Sequence, residues 1–438
     1  MFSYYLGLGL RSLRRNPALT ALMVLTLAVG VAASISTLTI LHALGRDPIP
    51  QKSERLFTPV LDLAPAEGYT PENADQIDQQ VSYKDAMNML AGGPGARRTV
   101  LYSLGLAMER EQRDLPVLET IGIAATRDFF TVVDAPFRYG QAWSTADDKA
   151  GADVVVLSSG LAEILFGKRD PVGQRLRMMN HDFTVVGVLQ PFRPLPKFYR
   201  ATSGLGPFGK EDDFYIPFAT AIRHEQGPLG SMWCTDAPQA GWDGLLKSEC
   251  TWLQFLFEAE SASERAALQS YLDNYANEQR RLGRMKRSAP NKLYDVREWL
   301  ELHNVVGNDN RLAAVLAFAF LLLCLVNTIG LLLAKLSSRA PEVGVRRALG
   351  ASRADIFRQY LTESAVVGLA GGVCGLLLTF GALALLALQS PDMAVAVRMD
   401  WQMLLLTFAM AVGAAILAGL LPTWRACQVT PAIELKSQ

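Results

Sequence analysis

Residues 18–44 read ALTALMVLTLAVGVAASISTLTILHAL and contain no Asp, Glu, Lys or Arg. A transmembrane helix needs about 20 mostly apolar residues to cross a hydrocarbon core about 30 Å thick. A cleaved signal peptide is the alternative, but the apolar region of a signal peptide has only about 7–15 residues. The stretch exceeds that length, so it predicts a helix that spans a membrane.

Three further stretches near the other end of the chain have the same character: residues 312–334, 365–388 and 403–421. The alternative is a set of buried core helices in a soluble protein. Uncharged runs of this length are typical of the bilayer instead. The predicted fold class is a membrane protein with four transmembrane α-helices and a large α+β extracytoplasmic domain inserted between helices 1 and 2.

Basic residues indicate the orientation, because short cytoplasmic loops are enriched in Lys and Arg. They precede the first helix and fill the loop between the second and third helices: Arg11, Arg14, Arg15, Lys335, Arg339, Arg346, Arg347, Arg353 and Arg358. Both termini and that loop are therefore expected in the cytoplasm, and the large domain outside. In a bacterium this means the inner membrane, with the domain in the periplasm.

The predicted boundaries follow from these spans. The cytoplasmic parts are an amphipathic N-terminal helix at 1–17, a loop at 336–363 and a tail at 423–438. The transmembrane helices occupy 18–44, 311–335, 364–389 and 402–422. The periplasmic parts are the domain at 45–310, expected to form two subdomains because of its length, and a short loop at 390–401.

The large domain mixes strand and helix patterns. Alternating or apolar runs predict strands at residues 153–158, 175–179, 182–189, 213–218 and 251–258. A helix is predicted from Ser261 to about Leu282, with Ser261 and Glu264 as a capping box. Cys234 and Cys250 both lie in this domain. In an oxidising compartment they are expected to form a disulfide worth about 3 kcal/mol, and two buried free thiols are the alternative.

Motifs for chemistry are missing from the sequence. The formal net charge is +0, which argues against nucleic-acid binding. The five cysteines include no CxxC pair, and the four histidines show no metal-binding spacing. We therefore expect no catalytic residue, no metal and no cofactor bound by this chain, and the prediction is a protein that is not an enzyme.

The third predicted helix carries four closely spaced glycines: Gly368, Gly371, Gly372 and Gly375. Small residues at this spacing let two helices approach closely within a membrane. The pattern predicts tight helix packing, within the chain or across a dimer.

Residues 338–363 read SRAPEVGVRRALGASRADIFRQYLTE, which is too polar for the bilayer and too patterned for a linker. Pro341 can begin a helix, Glu342 and Arg346 are an i,i+4 pair, and Gly350 suits a helix end. Ser352 and Asp355 then predict a capping box for a helix that continues into the membrane. A short helix rigidly joined to a transmembrane helix can transmit force from a cytoplasmic partner, and a solvated turn is the alternative.

The sequence resembles the MacB/FtsX-like family of ABC permeases, whose loop at this place carries a close variant of EIGIRRALGA. The family's coupling residues correspond here to Pro341, Glu342, Val343, Gly344, Val345, Arg346, Arg347, Ala348, Leu349 and Gly350. Residues 165–173, 183–189 and 10–17 resemble the family's periplasmic core and N-terminal helix. Residues 422–431 resemble its C-terminal signature.

The resemblance implies a permease subunit that carries no substrate through its own helices. A separate ABC ATPase, which holds ATP and Mg²⁺, would dock on the cytoplasmic loop and reshape the periplasmic domain. A second permease subunit, a periplasmic adaptor and an outer-membrane channel are the other expected partners. The implied function is export of a periplasmic client. The alternatives are a lipoprotein-releasing or cell-envelope regulatory permease, and a membrane-anchored periplasmic binding protein.

Overall fold

The structure is a computed structural model. It describes residues 16–66, 80–95, 97–108, 118–288, 291–305, 308–338 and 349–389, together with positions 342, 343, 345, 346, 405, 406, 409, 410, 412–414, 416, 417, 419, 420 and 424. The chain divides into two compact units. The helical unit comprises Met1–Gly45 and Val306–Gln438, and the sheet unit comprises Arg46–Val305.

The described residues form helices and strands in the following order. The helices are α1 Pro17–Leu44, α2 Tyr83–Gly92, α3 Phe129–Val132, α4 Thr145–Ala150, α5 Ser159–Phe166, α6 Phe218–Arg223, α7 Trp242–Leu246, α8 Ala262–Arg281, α9 Val296–Leu302, α10 Asn308–Ser337 and α11 Arg353–Gln389. The strands are β1 Leu56–Val60, β2 Val81–Ser82, β3 Arg97–Met108, β4 Leu118–Ala125, β5 Phe137–Gly140, β6 Val154–Leu157, β7 Arg175–Met178, β8 His181–Leu189, β9 Phe214–Pro217, β10 Thr251–Glu258 and β11 Lys292–Asp295.

Within the described part of the helical unit, three helices are long and apolar enough to cross a membrane. They are α1, the part of α10 at Arg311–Lys335, and α11. The predicted fourth helix at 402–422 lies largely outside the described residues. Its described positions between 405 and 420 are helical, and its crossing of the membrane stays a prediction. The N-terminal helix at 1–17, the loop at 390–401 and the tail at 423–438 also lie almost entirely outside the described residues.

Glycines bring the helices of this unit close together. A Cβ placed on Gly371 of α11 would lie 3.0 Å from the Cβ of Leu27 in α1. One placed on Gly375 would lie 3.1 Å from the carbonyl oxygen of Ala28. Gly368 and Gly372 are buried as well. The predicted close packing of helices is therefore found at Gly371 and Gly375, where α11 contacts α1.

The sheet unit is organised around one mixed sheet of eleven strands within the described residues. The main strand order is β11-β1-β10-β3-β4-β9-β6-β8-β5, while β2 pairs with β10 and β7 pairs with β8. Most neighbours are antiparallel, but β4 and β9 are parallel, as are β6 and β8. In the parallel pair of β6 and β8, the first residue of β6, Val154, lies beside Thr184, three residues into β8.

The hydrophobic core lies on both faces of the sheet. Successive side chains of a strand point to opposite faces, and β10 illustrates this. Phe255 and Phe257 belong to one core cluster, and Leu256 belongs to the other. Because β10 is buried on both faces, its sequence is a nearly continuous apolar run. Within the described residues the strands of this unit form one sheet, and the expected division of the unit into two subdomains stays a prediction.

The strand and helix predictions agree with the structure where the patterns were clearest. The five predicted strands correspond to β6, β7, β8, β9 and β10, and the predicted helix corresponds to α8. The hydroxyl of Ser261 accepts a bond from the Glu264 amide at 3.2 Å, as expected for the N-terminal cap. The Glu264 carboxylate instead accepts from the amide of Glu260, at 2.7 Å. The cap therefore reaches one residue further back than a standard capping box.

Candidate coupling site

The coupling segment, residues 341–350, begins as a short helix. Positions 342, 343, 345 and 346 are helical, while Pro341, Gly344, Arg347 and Ala348 lie outside the described residues. The amide of Leu349 donates to the carbonyl of Val345 at 3.0 Å, which continues the helical pattern. Gly350 then adopts a φ of +98°, a conformation that L side chains rarely adopt. Glycine at this position therefore lets the chain leave the helix and turn back.

An apolar cluster packs the short helix of the coupling segment against the N-terminal turns of α11. Val343 is only 3% exposed and packs with Ile356 and Tyr360, which are also buried, while Phe357 covers the edge. Ile356 and Tyr360 are four residues apart, so they lie on one face of α11. The short helix is thus packed against the helix that follows it.

A polar contact reinforces this apolar one. One guanidinium nitrogen of Arg346 lies 2.6 Å from a carboxylate oxygen of Glu342, and the other donates to the amide oxygen of Gln359 at 3.0 Å. The predicted i,i+4 pair is therefore present, and its arginine also reaches α11. The pair itself contributes little to stability because both side chains are more than one-third exposed.

The α11 helix is one continuous helix that begins just after the coupling segment and includes its candidate membrane span. The Asp355 amide donates to the hydroxyl of Ser352 at 3.2 Å, which confirms the predicted cap. From Arg353 the helix runs for 37 residues, or about 56 Å at 1.5 Å per residue. Because the hydrocarbon core is about 30 Å thick, the helix is long enough to span it and to extend well beyond.

A buried ion pair joins the two helices that flank the loop. The Lys335 ammonium, near the end of α10, contacts the Glu363 carboxylate of α11, and both side chains are almost fully buried. Removing one partner of such a pair leaves an unpaired buried charge, at a cost of about 3–5 kcal/mol. No local pattern in the sequence predicts that these two residues pair.

Two apolar side chains of the coupling segment remain available at its surface. Val345 is 52% exposed and Leu349 is 83% exposed. Val343 therefore faces α11, whereas Val345 and Leu349 face away from it. An exposed leucine beside a half-exposed arginine and glutamate is a small mixed surface of the kind that a protein partner can cover.

In the sheet unit, the sulfur atoms of Cys234 and Cys250 lie at bonding distance, 2.03 Å. The bond would close the segment between the two cysteines, which contains α7 and ends just before β10. The geometry is that of the predicted disulfide, and its formation in the exported protein remains a prediction. Of the other cysteines, Cys324 and Cys374 are free.

One fully buried polar cluster in the described part of the sheet unit lacks access for a substrate. The carboxylate of Asp212 contacts the Lys197 ammonium at 3.0 Å, the Tyr199 hydroxyl at 3.0 Å and the guanidinium of Arg200. Burial lowers the pKa of Lys197, and the neighbouring Asp212 opposes that shift. Both of these side chains are fully enclosed, so the cluster is a structural element and not an active site.

Two family models match the chain, one after the other. The model described as "MacB-like periplasmic core domain" matches residues 20–275. The model described as "FtsX-like permease C-terminal" matches residues 314–431. The second match contains the coupling segment and α11, and the first contains most of the sheet unit.

Curated relatives are similar to this chain over much or all of its length. The chain is 28% identical to "Macrolide export ATP-binding/permease protein MacB" of Rhodospirillum rubrum, over 100% of this chain and 61% of the relative. It is 26% identical to "Pyoverdine export ATP-binding/permease protein PvdT" of Pseudomonas syringae pv. tomato, over 71% of this chain and 42% of the relative. The chain therefore spans about three fifths or less of the length of these curated relatives.

A solved structure, the periplasmic region of MacB from Actinobacillus actinomycetemcomitans, aligns with 59% of this chain and 96% of its own length. The identity is 12% and the TM-score is 0.35, so this likeness adds no argument. The assignment depends on the two consecutive family matches. The chain belongs to the MacB/FtsX-like family of ABC transporter permeases.

Proposed function

We propose that this chain is the permease subunit of an export-type ABC transporter and that the coupling segment is the docking site of its ATPase. ATP binding and hydrolysis on that ATPase, which holds the Mg²⁺, would move the short helix and, with it, α11. The sheet unit would change conformation in response and act on a client outside the cytoplasmic membrane.

The observation that carries the proposal is the fastening of the short helix to α11. Val343 is buried against Ile356 and Tyr360, and Arg346 bonds to Gln359. A partner that pulls on the exposed side of the segment therefore pulls on a helix that continues into the membrane. A loosely tethered loop would absorb the same displacement without passing it on.

The remaining parts of the proposal follow from the family and from the distribution of basic residues. The chain would lie in a bacterial inner membrane with both termini in the cytoplasm and the sheet unit in the periplasm. The ATPase would be a separate chain, and a second permease subunit would complete the transporter. A periplasmic adaptor and an outer-membrane channel are further partners that an export function would use. The relatives named for macrolide and pyoverdine export support export over the alternatives.

A charge-swap experiment tests the docking site. Glu342→Arg with Arg346→Glu preserves an oppositely charged i,i+4 pair, and Gln359 can donate to the new carboxylate with its amide nitrogen. The short helix should therefore keep its place on α11, with a change of only a few tenths of a kcal/mol. The partner, however, meets reversed charges. We expect the swapped protein to reach the membrane at normal levels and to lose retention of the ATPase in mild detergent.

Leu349→Asp extends the test to the apolar part of the surface. Because Leu349 is almost fully exposed, the change should leave folding intact and weaken ATPase retention. Leu282→Asp is the matched control, since Leu282 is an exposed leucine of the sheet unit. Normal ATPase retention and stimulation in both the swap and Leu349→Asp would refute the docking site.

A further inference from the structure

Three potential metal ligands meet at one end of the sheet although they are far apart in sequence. Asp153 immediately precedes β6, and His181 begins β8, the parallel neighbour of β6. His224 follows the last residue of α6. One ligand atom from each of the three lies within 4.8 Å of the others. No two histidines have the usual short metal-binding spacing in the sequence, so the sequence alone predicts no metal site. The parallel pairing of β6 and β8 supplies the proximity instead.

The local backbone holds these side chains in register. The amide of Thr184 donates to the carbonyl of Asp153 at 2.9 Å, which fixes the start of β6 against β8. Met179 and Asn180 both have positive φ, +52° and +63°, as in a tight two-residue hairpin turn. That turn delivers His181 to the strand end directly after it. The three ligands are therefore carried by paired strands and a helix end, not by a free loop.

The side-chain contacts already have the form of a ligand set. Nε2 of His224 lies 2.8 Å from a carboxylate oxygen of Asp153. The rings of His181 and His224 are tilted against each other with their centroids 4.3 Å apart. A tetrahedral zinc ion with bonds of about 2.0–2.1 Å separates its ligand atoms by about 3.3 Å. The contact of His224 with Asp153 would widen by roughly half an ångström, and the exposed His181 could close the third side by a rotamer change.

We propose that Asp153, His181 and His224 bind a divalent transition-metal ion of the zinc class. Two imidazoles and one carboxylate are a ligand set suited to zinc, copper, nickel or iron and unsuited to calcium or magnesium. Water completes the coordination, since His181 lies at the surface. The ion would fasten the start of β6, the β7–β8 turn and the end of α6 to one another.

The positive charge of the neighbouring Arg223 lowers the affinity of this site for a metal ion. Its guanidinium lies 2.6 Å from the same Asp153 oxygen and also donates to the carbonyl of Gly151 at 2.8 Å. It orients the carboxylate as an outer-shell partner does, but its positive charge opposes a cation at this place. We therefore expect Arg223→Gln to bind zinc more tightly than the unchanged protein, by threefold to tenfold. If the three side chains only stabilised the fold, Arg223→Gln would give no gain in zinc affinity.

The experiment uses the full chain in detergent, purified with an affinity tag that contains no histidine. Zinc chloride is titrated in competition with a chromogenic chelator, and bound zinc is counted by mass spectrometry after dialysis. We expect one zinc per chain, and Co²⁺ in place of zinc should give the visible absorption of a low-coordinate site. His181→Ala and His224→Ala should each weaken binding at least tenfold. His42→Ala, which changes a histidine of the helical unit, is the control and should leave binding unchanged.

Thermal unfolding supplies a second measurement. Zinc should raise the unfolding temperature of the unchanged protein and of His42→Ala, and leave that of His181→Ala unchanged. Because His181 is exposed, its substitution should not unfold the sheet unit. The proposal is overturned if zinc binds below one equivalent, or if the two histidine substitutions bind zinc as tightly as the unchanged protein.

Discussion

Val343 and Val345 provide a matched pair for testing how the coupling segment is held. They are the same residue type in the same short helix, but Val343 is 3% exposed and Val345 is 52% exposed. Val343→Ala removes two buried methyl groups, at about 0.8 kcal/mol each. The better helix propensity of alanine returns roughly 0.5 kcal/mol. We therefore expect a net loss of about 1 kcal/mol in the docking of the short helix on α11, or about fivefold in its equilibrium.

For Val345→Ala the two contributions nearly cancel, because the side chain is already half exposed. Hydrogen exchange of the coupling segment, followed by mass spectrometry in detergent without the ATPase, measures the difference. Amides of the segment should exchange about fivefold faster in Val343→Ala and at the normal rate in Val345→Ala. In the presence of the ATPase, Val345→Ala should reduce ATPase stimulation because it changes the outer surface. Equal exchange in the two variants would refute the packing of the short helix against Ile356 and Tyr360.

Three further predictions concern the bonds within each unit. Lys335→Met alone should destabilise the helical unit by about 3–5 kcal/mol, and adding Glu363→Leu should recover most of the loss in detergent unfolding. Gly371→Leu should cost about 1–3 kcal/mol through overpacking against α1, whereas Gly381→Leu, where a Cβ meets nothing within 4 Å, should be tolerated; equal stability of the two would remove the packing role. Non-reducing peptide mapping of the exported protein should recover the two cysteines of the sheet unit as a linked pair, and reduction should cost about 3 kcal/mol; free thiols would contradict the disulfide.

The sequence predicts this fold best where one physical requirement dominates. A bilayer imposes length and apolar character on a helix, so α1, α10 and α11 are evident from hydropathy. Strands such as β10, buried on both faces, appear as apolar runs. By contrast, β3 and β4 form a long antiparallel pair that is not among the predicted strands. β1 and β11 are short, and they pair with each other only because the chain returns to the same edge.

The candidate sites likewise combine features that the local sequence predicts with contacts that it does not predict. The pairing of Glu342 with Arg346 and the cap at Ser352 follow from spacing within a helix, so they could be predicted locally. The burial of Val343 against Tyr360, and the pairing of Lys335 with Glu363, depend on how two helices meet after a turn. The cluster of Asp153, His181 and His224 depends on a parallel strand pair. No local pattern encodes such contacts, because the partners are fixed by the order of strands and helices.

The account is tested most directly by finding the side of the membrane on which the coupling segment lies. Single cysteines at Leu349 and at Leu282, in a background without other reactive cysteines, can be labelled with a membrane-impermeant maleimide in spheroplasts. We predict that the cysteine at 282 is labelled in intact spheroplasts, and that the cysteine at 349 is labelled only after the membrane is permeabilised. Labelling of both positions in intact spheroplasts would place the coupling segment outside the cell and contradict its role as the docking site of an ATPase.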